Sequence, residues 1–340
     1  MLETIRRLSA LPGVSGRESA VRDFLIEQIR GYADSWETDP LGNLIVFKKG
    51  LAPAKKIVML DAHMDEVGLI VTSIDSDGFL RFATVGGVDP GVLAGRTVCV
   101  GDHGTVGAIG VKPIHLLKKD EEGVVPSVDQ LYIDIGASDR AEAAALVRPG
   151  DVAWFRGDVT AFGDGMLMGK ALDDRVGCAI LLQMIRSELP YDCRFTFSVQ
   201  EEIGLRGAQA AAFTVAPDYA IVVETTTAAD ISGVAGEKRV CVCGDGAVVS
   251  FMDRSTLYDR ALFDRAFEVA KAQGIPCQTK TMVAGGNNAG AIHKSRGGVK
   301  TLAISVPCRY LHSPSCVMQR SDIDAVARLA AAMAAELAGC

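Results

Sequence analysis

Four short apolar runs, KIVML (residues 56–60), FTFSV (195–199), YAIVV (219–223) and TLAISV (301–306), each lead within a few residues to a side chain able to ligate a metal: His63, Glu202, Glu224 and His312. Runs of this length, rich in Val, Ile and Phe, read as buried strands. A chain that spaces such strands with helix-length segments folds as an α/β protein, a mixed sheet flanked by helices. In open sheets of this kind, side chains from different strands converge in a crevice outside the carboxyl ends of the strands. A fifth candidate, Asp173, lies in the polar turn GKALDDR (169–175), which opens the apolar segment 176–185 and so places it near a helix N-terminus. Its neighbour Asp174 reads as a helix-start or hydrogen-bonding residue.

Ligand number bears on metal number. A carboxylate can bridge two ions, so with Asp173 shared the set supplies three protein contacts to each ion, and a shared water completes the four-coordination usual for catalytic zinc. Two ions match this inventory better than one. Imidazole mixed with carboxylate suits zinc, cobalt or manganese rather than copper(I) or an iron–sulfur cluster. Asp65 follows His63 by two residues, which puts both on one face of an extended chain, and its carboxylate can orient the imidazole. Glu201 precedes Glu202, so one carboxylate of the pair can bind metal while the other stays free as a general base. His103, His115 and His293 read as surface or satisfied structural residues.

His63 and Asp173 lie 110 residues apart, whereas Asp173, Glu202 and Glu224 follow at intervals fitting helix-plus-strand units. The stretch 68–161 carries short alternating runs (GLIVTSI, RTVCV, GTVGAIGV, DVAWF) broken by DSDG, GGVDPG, GDHG and RPGD. This is the pattern of a small β-rich domain. It is inserted into a larger domain made of residues 1–67 and 162–340, in which 18–29, 260–272 and 321–337 are expected to be helices.

The segments AHMDEVGLIV (62–71), GKALDDRVGC (169–178), SVQEEIGLRGA (198–208) and SVPCRYLHSP (305–314) resemble, in order, those of the tetrahedral, self-compartmentalising metallo-aminopeptidases. That family includes glutamyl and deblocking aminopeptidases and proteins once labelled cellulase M. The resemblance implies a zinc-exopeptidase-like catalytic domain with a PDZ-like or barrel-like dimerisation insert. It implies two zinc or cobalt ions per subunit, one held by His63, Asp173 and Glu224 and the other by Asp173, Glu202 and His312, with Glu201 as base and Asp65 supporting His63. The expected substrates are peptides, cleaved at the amino end, and the expected assembly is a dodecamer built from dimers. The sequence departs from the family pattern at Glu224, where many members carry Asp, and at Asn288, where relatives often carry an acidic residue.

Composition limits the alternatives. A net charge of −7 with no concentrated basic stretch leaves no footprint for nucleic acid. No apolar run approaches the roughly 18 residues of a membrane span, and residues 1–16 lack the apolar core of a signal peptide, so a cytoplasmic protein is expected. Nine scattered cysteines, with only a CxC pair close together, read as reduced thiols. The same ligand set would also serve a carboxypeptidase or a deacylase acting on N-acyl amino acids. A two-carboxylate glycosidase would leave both histidines unexplained, and a non-catalytic assembly scaffold would need none of the ligands.

Overall fold

The computed structural model describes all 340 residues, Met1–Cys340. Its main sheet has eight strands in the order Ser35–Thr38, Leu44–Lys48, Cys193–Ser198, Val58–His63, Tyr219–Thr227, Lys300–Cys308, Ala247–Val249 and Cys277–Thr279. The four central strands run parallel, and a strand antiparallel to them borders the set on each side. Their carboxyl ends therefore open on one edge, where the expected crevice forms.

Alternation along these strands separates two cores. Val58, Leu60 and Ala62, with Ile221, Val223, Leu302 and Ile304, face the larger one. There they meet the helices Leu2–Ala10, Ser19–Ile29, Leu172–Arg186, Arg260–Ala272 and Arg320–Gly339. Met59, Ala220, Val222 and Ala303 face the other way, against Ala208, Ala211 and Ala212 of the helix Arg206–Val215. Small side chains on both partners let that helix sit close to the sheet. The helix Leu172–Arg186 is buried along nearly its whole length, as its continuous apolar composition requires.

The inserted segment contains a closed six-stranded antiparallel barrel. Its strands run Gly68–Ile74, Leu80–Val85, Tyr132–Asp134, Thr105–Gly110, Thr97–Val100 and Val152–Phe155, the last pairing back to the first around a separate apolar core. Beyond it, Thr160–Phe162 joins Met166–Gly169 and Cys316–Gln319 in a small third sheet.

One expectation needs correction. Glu224 does not follow its strand but lies within it, because the ladder of Tyr219–Thr227 to Lys300–Cys308 continues past it to Thr227. Since Val222 pairs with Asp61, Glu224 stands beside His63 two residues further along, on the same face.

Behind the crevice lies a buried ionic cluster. Lys170 Nζ donates to both oxygens of Glu66 at 2.9 Å, and Arg175 Nη2 lies 3.4 Å from Glu66 Oε1. Arg175 also donates to the carbonyls of Met64, Leu8 and Leu11. The cluster ties the end of the first helix to the segments that carry Asp65 and Asp173. Removing one member of a buried ion set leaves uncompensated charge, so Glu66→Gln is expected to lose on the order of 3–5 kcal/mol of stability. The urea unfolding midpoint measures this, and a loss within the roughly 1 kcal/mol typical of exposed pairs would contradict it.

Candidate metal centre

Asp173 sits at the start of the helix Leu172–Arg186, where its own backbone angles are not helical (φ −81°, ψ 109°) and its side chain turns into the crevice. One carboxylate oxygen, Oδ1, lies 3.3 Å from His63 Nε2, and the other, Oδ2, lies 3.3 Å from His312 Nε2. The same His312 nitrogen is 3.3 Å from Glu202 Oε2. Asp173 thus stands between two imidazoles, with one oxygen for each. Ligand atoms of His63, Asp173 and Glu202 all fall within 4.8 Å of one another. Glu201 and Glu224 line the same cavity as Asp173, Glu202 and His312.

Each imidazole is held by its other nitrogen. His63 Nδ1 is 3.0 Å from the Asp65 carbonyl and 3.3 Å from Asp65 Oδ1. His312 Nδ1 is 2.9 Å from the Gly87 carbonyl, contributed by the inserted segment just after a barrel strand. With Nδ1–H donating in each case, both Nε2 lone pairs face the crevice. Asp65 does more than hold His63. Its carboxylate accepts from Ser15 Oγ (2.6 Å) and from the backbone N–H groups of Glu201 (3.0 Å) and Glu202 (3.1 Å), fixing the turn that presents the glutamate pair.

Electrostatics show a site short of positive charge. Burial raises the Glu202 carboxyl well above its ordinary range, with Asp173 adding to the effect, and burial with Glu201 does the same for Glu224. Burial pushes Glu201 up to about 7, with Asp65 and Asp173 adding to the rise and His63 opposing it. Burial also acts on Asp173, but hydrogen bonds from His312 and His63 prevail and hold its carboxyl low. Against burial, Asp173 and Glu202 raise His312 to about 10. Glu202 Oε1 and Glu224 Oε2 are buried without a hydrogen-bond partner. An orphaned buried acceptor costs about 1–3 kcal/mol, more when charged, and bound cations would remove that penalty. The donor set, imidazole nitrogen and carboxylate oxygen with no thiolate, fits zinc, cobalt or manganese.

The remaining candidates fall elsewhere. Asp174, joined to Asp173 by a cis peptide bond, accepts from the backbone of Gly177 (2.9 Å) and His63 (3.3 Å) and keeps its side chain in the structure behind the site. Asn288 Nδ2 donates to Asp61 Oδ2 and Ser198 Oγ, both at 2.8 Å. An amide can donate where a carboxylate could not, so Asn288 suits this buried acid. His103 and His115 are exposed, and His293 bonds to the Ala289 carbonyl. All nine cysteines are free.

The profile described as M42 glutamyl aminopeptidase matches residues 42–329. The chain belongs to the M42 glutamyl aminopeptidase family. A putative aminopeptidase of Acetivibrio thermocellus is 39% identical over 336 residues, spanning 97% of both chains. The lysyl aminopeptidase of Pyrococcus furiosus is 35% identical, spanning 98% of this chain and 97% of its own. Among solved structures, a TET1 peptidase from Pyrococcus horikoshii, described as able to assemble into a tetrahedron or a large octahedral shell, superposes with a TM-score of 0.88 at 35% identity over 99% of each chain. As an M42 member the protein is a metal-dependent aminopeptidase, a hydrolase of peptide bonds.

Two features of this M42 site are absent from the sequence reading. The Gly87 carbonyl that orients His312 is a backbone group with no signature of its own. Lys280, buried in the cavity wall, stands in the unremarkable segment QTKTM, indistinguishable there from a surface lysine.

Proposed function

We propose that the crevice holds two divalent ions, zinc or cobalt with manganese also compatible, and that the enzyme removes amino-terminal residues from peptides. His63, Asp173 and Glu224 would hold one ion, and Asp173, Glu202 and His312 the other. The observation that carries this reading is the Asp173 carboxylate placed between two imidazoles, beside orphaned oxygens of Glu202 and Glu224. When bound, the ions supply Lewis-acid polarisation of the scissile carbonyl and lower the pKa of an attacking water.

Glu201, adjacent to a ligand but outside the ligand set, takes the water's proton and returns it to the leaving amine. Asp65 holds the His63 ring and the Glu201 backbone together, so base and metal site keep one geometry. Because burial has already lifted the Glu201 carboxyl to about 7 and cations in the crevice would lower it, the base should lose activity as it protonates between its ordinary value of 4.5 and about 7. A pH profile of kcat/KM should show an acid limb in that window. A rate still flat at pH 4 would remove Glu201 from the role.

The M42 match and the aminopeptidase relatives support a substrate that arrives with a free amino terminus. The test is a panel of aminoacyl anilides beside their N-acetylated forms. Cleavage of the free-amine set alone supports the aminopeptidase reading, and cleavage of the acetylated set points to a deacylase.

The proposed organisation assigns residues 1–67 and 162–340 to catalysis and 68–161 to an inserted dimerisation domain, with dimers assembling to a dodecamer in the cytoplasm. The P. horikoshii relative's described assemblies support a closed shell. Exposed apolar side chains on the inserted segment, Ile114, Leu116, Val124 and Val125, offer surface for subunit contact. No helix is long and apolar enough to cross a membrane.

A further inference from the structure

The strand Cys193–Ser198 leaves its sheet ladder at Ser198, just before the glutamate pair. Backbone donors are normally satisfied by backbone acceptors. Here the next N–H groups donate one after another to side chains from the first part of the chain. Val199 donates to Asn43 Oδ1 at 2.9 Å and Gln200 to Glu18 Oε1 at 3.2 Å. Glu201 and Glu202 donate to Asp65 Oδ1 and Oδ2 at 3.0 and 3.1 Å. The segment needs such holding, because Gln200 takes a left-handed φ of 57°. A residue with a side chain keeps that conformation only where its surroundings impose it.

Asn43, fully buried, clamps the turn at both ends. Its Oδ1 takes the Val199 N–H while its Nδ2 donates to the Gly207 carbonyl at 2.9 Å. A β-carbon at Gly207 would collide with that amide, so glycine there makes room for it. Glu18 is the less expected member. It stands just before the helix Ser19–Ile29, only 5% exposed, yet its carboxylate caps none of that helix's N–H groups. Oε1 turns instead to the N–H of Gly16 at 2.7 Å and to that of Gln200. Burying a carboxylate is unfavourable unless hydrogen bonds repay it, and half of that return comes from the residue preceding Glu201. Resting on the reading of Glu201 as general base, we infer that Glu18 and Asn43 are positioning residues for it. They hold Gln200 and Val199 in the strained conformation that aims the Glu201 carboxylate into the crevice, and neither touches substrate or ion.

The experiment uses the metal-loaded enzyme as wild type, Glu18→Met and Glu18→Gln, with Glu18→Met also made in a Glu201→Gln background. Glutamine keeps an oxygen where Oε1 stands, and methionine removes it at similar length. Glu18→Met should lose about tenfold to a hundredfold in kcat on a free-amine aminoacyl anilide, up to the scale of a reacting group misplaced by about 1 Å. Its KM and its metal content per subunit should stay as in the wild type. Amide hydrogen exchange in residues 199–207 should quicken in Glu18→Met and not in Glu18→Gln, which should keep most of the wild-type kcat. With Glu201 already replaced, Glu18→Met should cost almost nothing more, because residues acting through one group are not additive. A folded, metal-loaded Glu18→Met enzyme with wild-type kcat, or with unchanged exchange in 199–207, would overturn the inference. A large fall in kcat for Glu18→Gln would overturn it without recourse to the methionine variant, since the acceptor is still there. A Glu18 with only a structural part would carry its full loss into the Glu201→Gln background, which rejects this inference and leaves Glu201 as base. A near-normal rate in Glu201→Gln alone rejects the base reading beneath it.

Discussion

Glu201→Gln is expected to bind metal as the wild type does while its kcat falls by about 10²–10⁴-fold, the usual contribution of a positioned general base. The substitution keeps the shape of the side chain and the backbone N–H that Asp65 accepts, so the turn presenting Glu202 should survive. It removes only the ability to take a proton. Metal content per subunit and single-substrate kinetics measured on one preparation separate the two properties. A metal-loaded Glu201→Gln enzyme with a near-normal rate would mean that another group is the base. Loss of metal in this variant would mean that Glu201 is itself a ligand.

Asp173→Ala should behave in the opposite way, losing both metal and activity to the assay background. Asp173 is the one side chain in contact with both imidazoles, one oxygen to each. It therefore anchors both halves of the proposed centre, and no neighbouring carboxylate is placed to substitute for it between the two rings. The folded state should persist, because the buried contacts of the helix Leu172–Arg186 and the Asp174 hydrogen bonds to Gly177 and His63 do not involve the Asp173 carboxylate. Near-UV circular dichroism checks the fold, and elemental analysis checks the metal. Retention of two ions per subunit in a folded Asp173→Ala protein would rule out the bridging role.

Much of this site was legible in the sequence because strand-forming runs and ligand-type side chains are both local signals. The barrel strand Gly68–Ile74 coincides with the run GLIVTSI, and the helix Arg260–Ala272 with the amphipathic segment ending near Gly274. Other elements left weaker traces. Tyr132–Asp134 is only three residues long, too short for alternation to register, and Cys316–Gln319 gains its partners from Met166–Gly169, 150 residues earlier in the chain. The placement of Glu224 inside its strand is hidden in the sequence for a related reason. Where a strand ends depends on its neighbours, and here parallel pairing with Lys300–Cys308 carries it three residues beyond Glu224. Long-range groupings were least visible of all. The Glu66, Lys170 and Arg175 cluster, the Gly87 carbonyl on His312 and the unpaired Lys280 each depend on which distant segments the fold brings together.

The inserted barrel has a consequence for catalysis beyond any part in assembly. Gly87 follows the barrel strand Leu80–Val85, so its carbonyl orients His312 from a segment that is distant in the chain. The preceding Gly86 takes a left-handed φ of 81°, and a β-carbon there would stand 2.8 Å from a Val67 methyl and 3.3 Å from Glu202 Cβ. Glycine at that turn lets the barrel segment approach the glutamate pair closely.

Two divalent ions, not one or none, would make this crevice an aminopeptidase. The most direct test removes metal with a chelator and titrates zinc or cobalt back into the apoenzyme while following hydrolysis of a free-amine aminoacyl anilide. No turnover is expected without metal, and activity should rise and level off at two equivalents per subunit. Full activity in the metal-free protein, or saturation at a single equivalent, would contradict it.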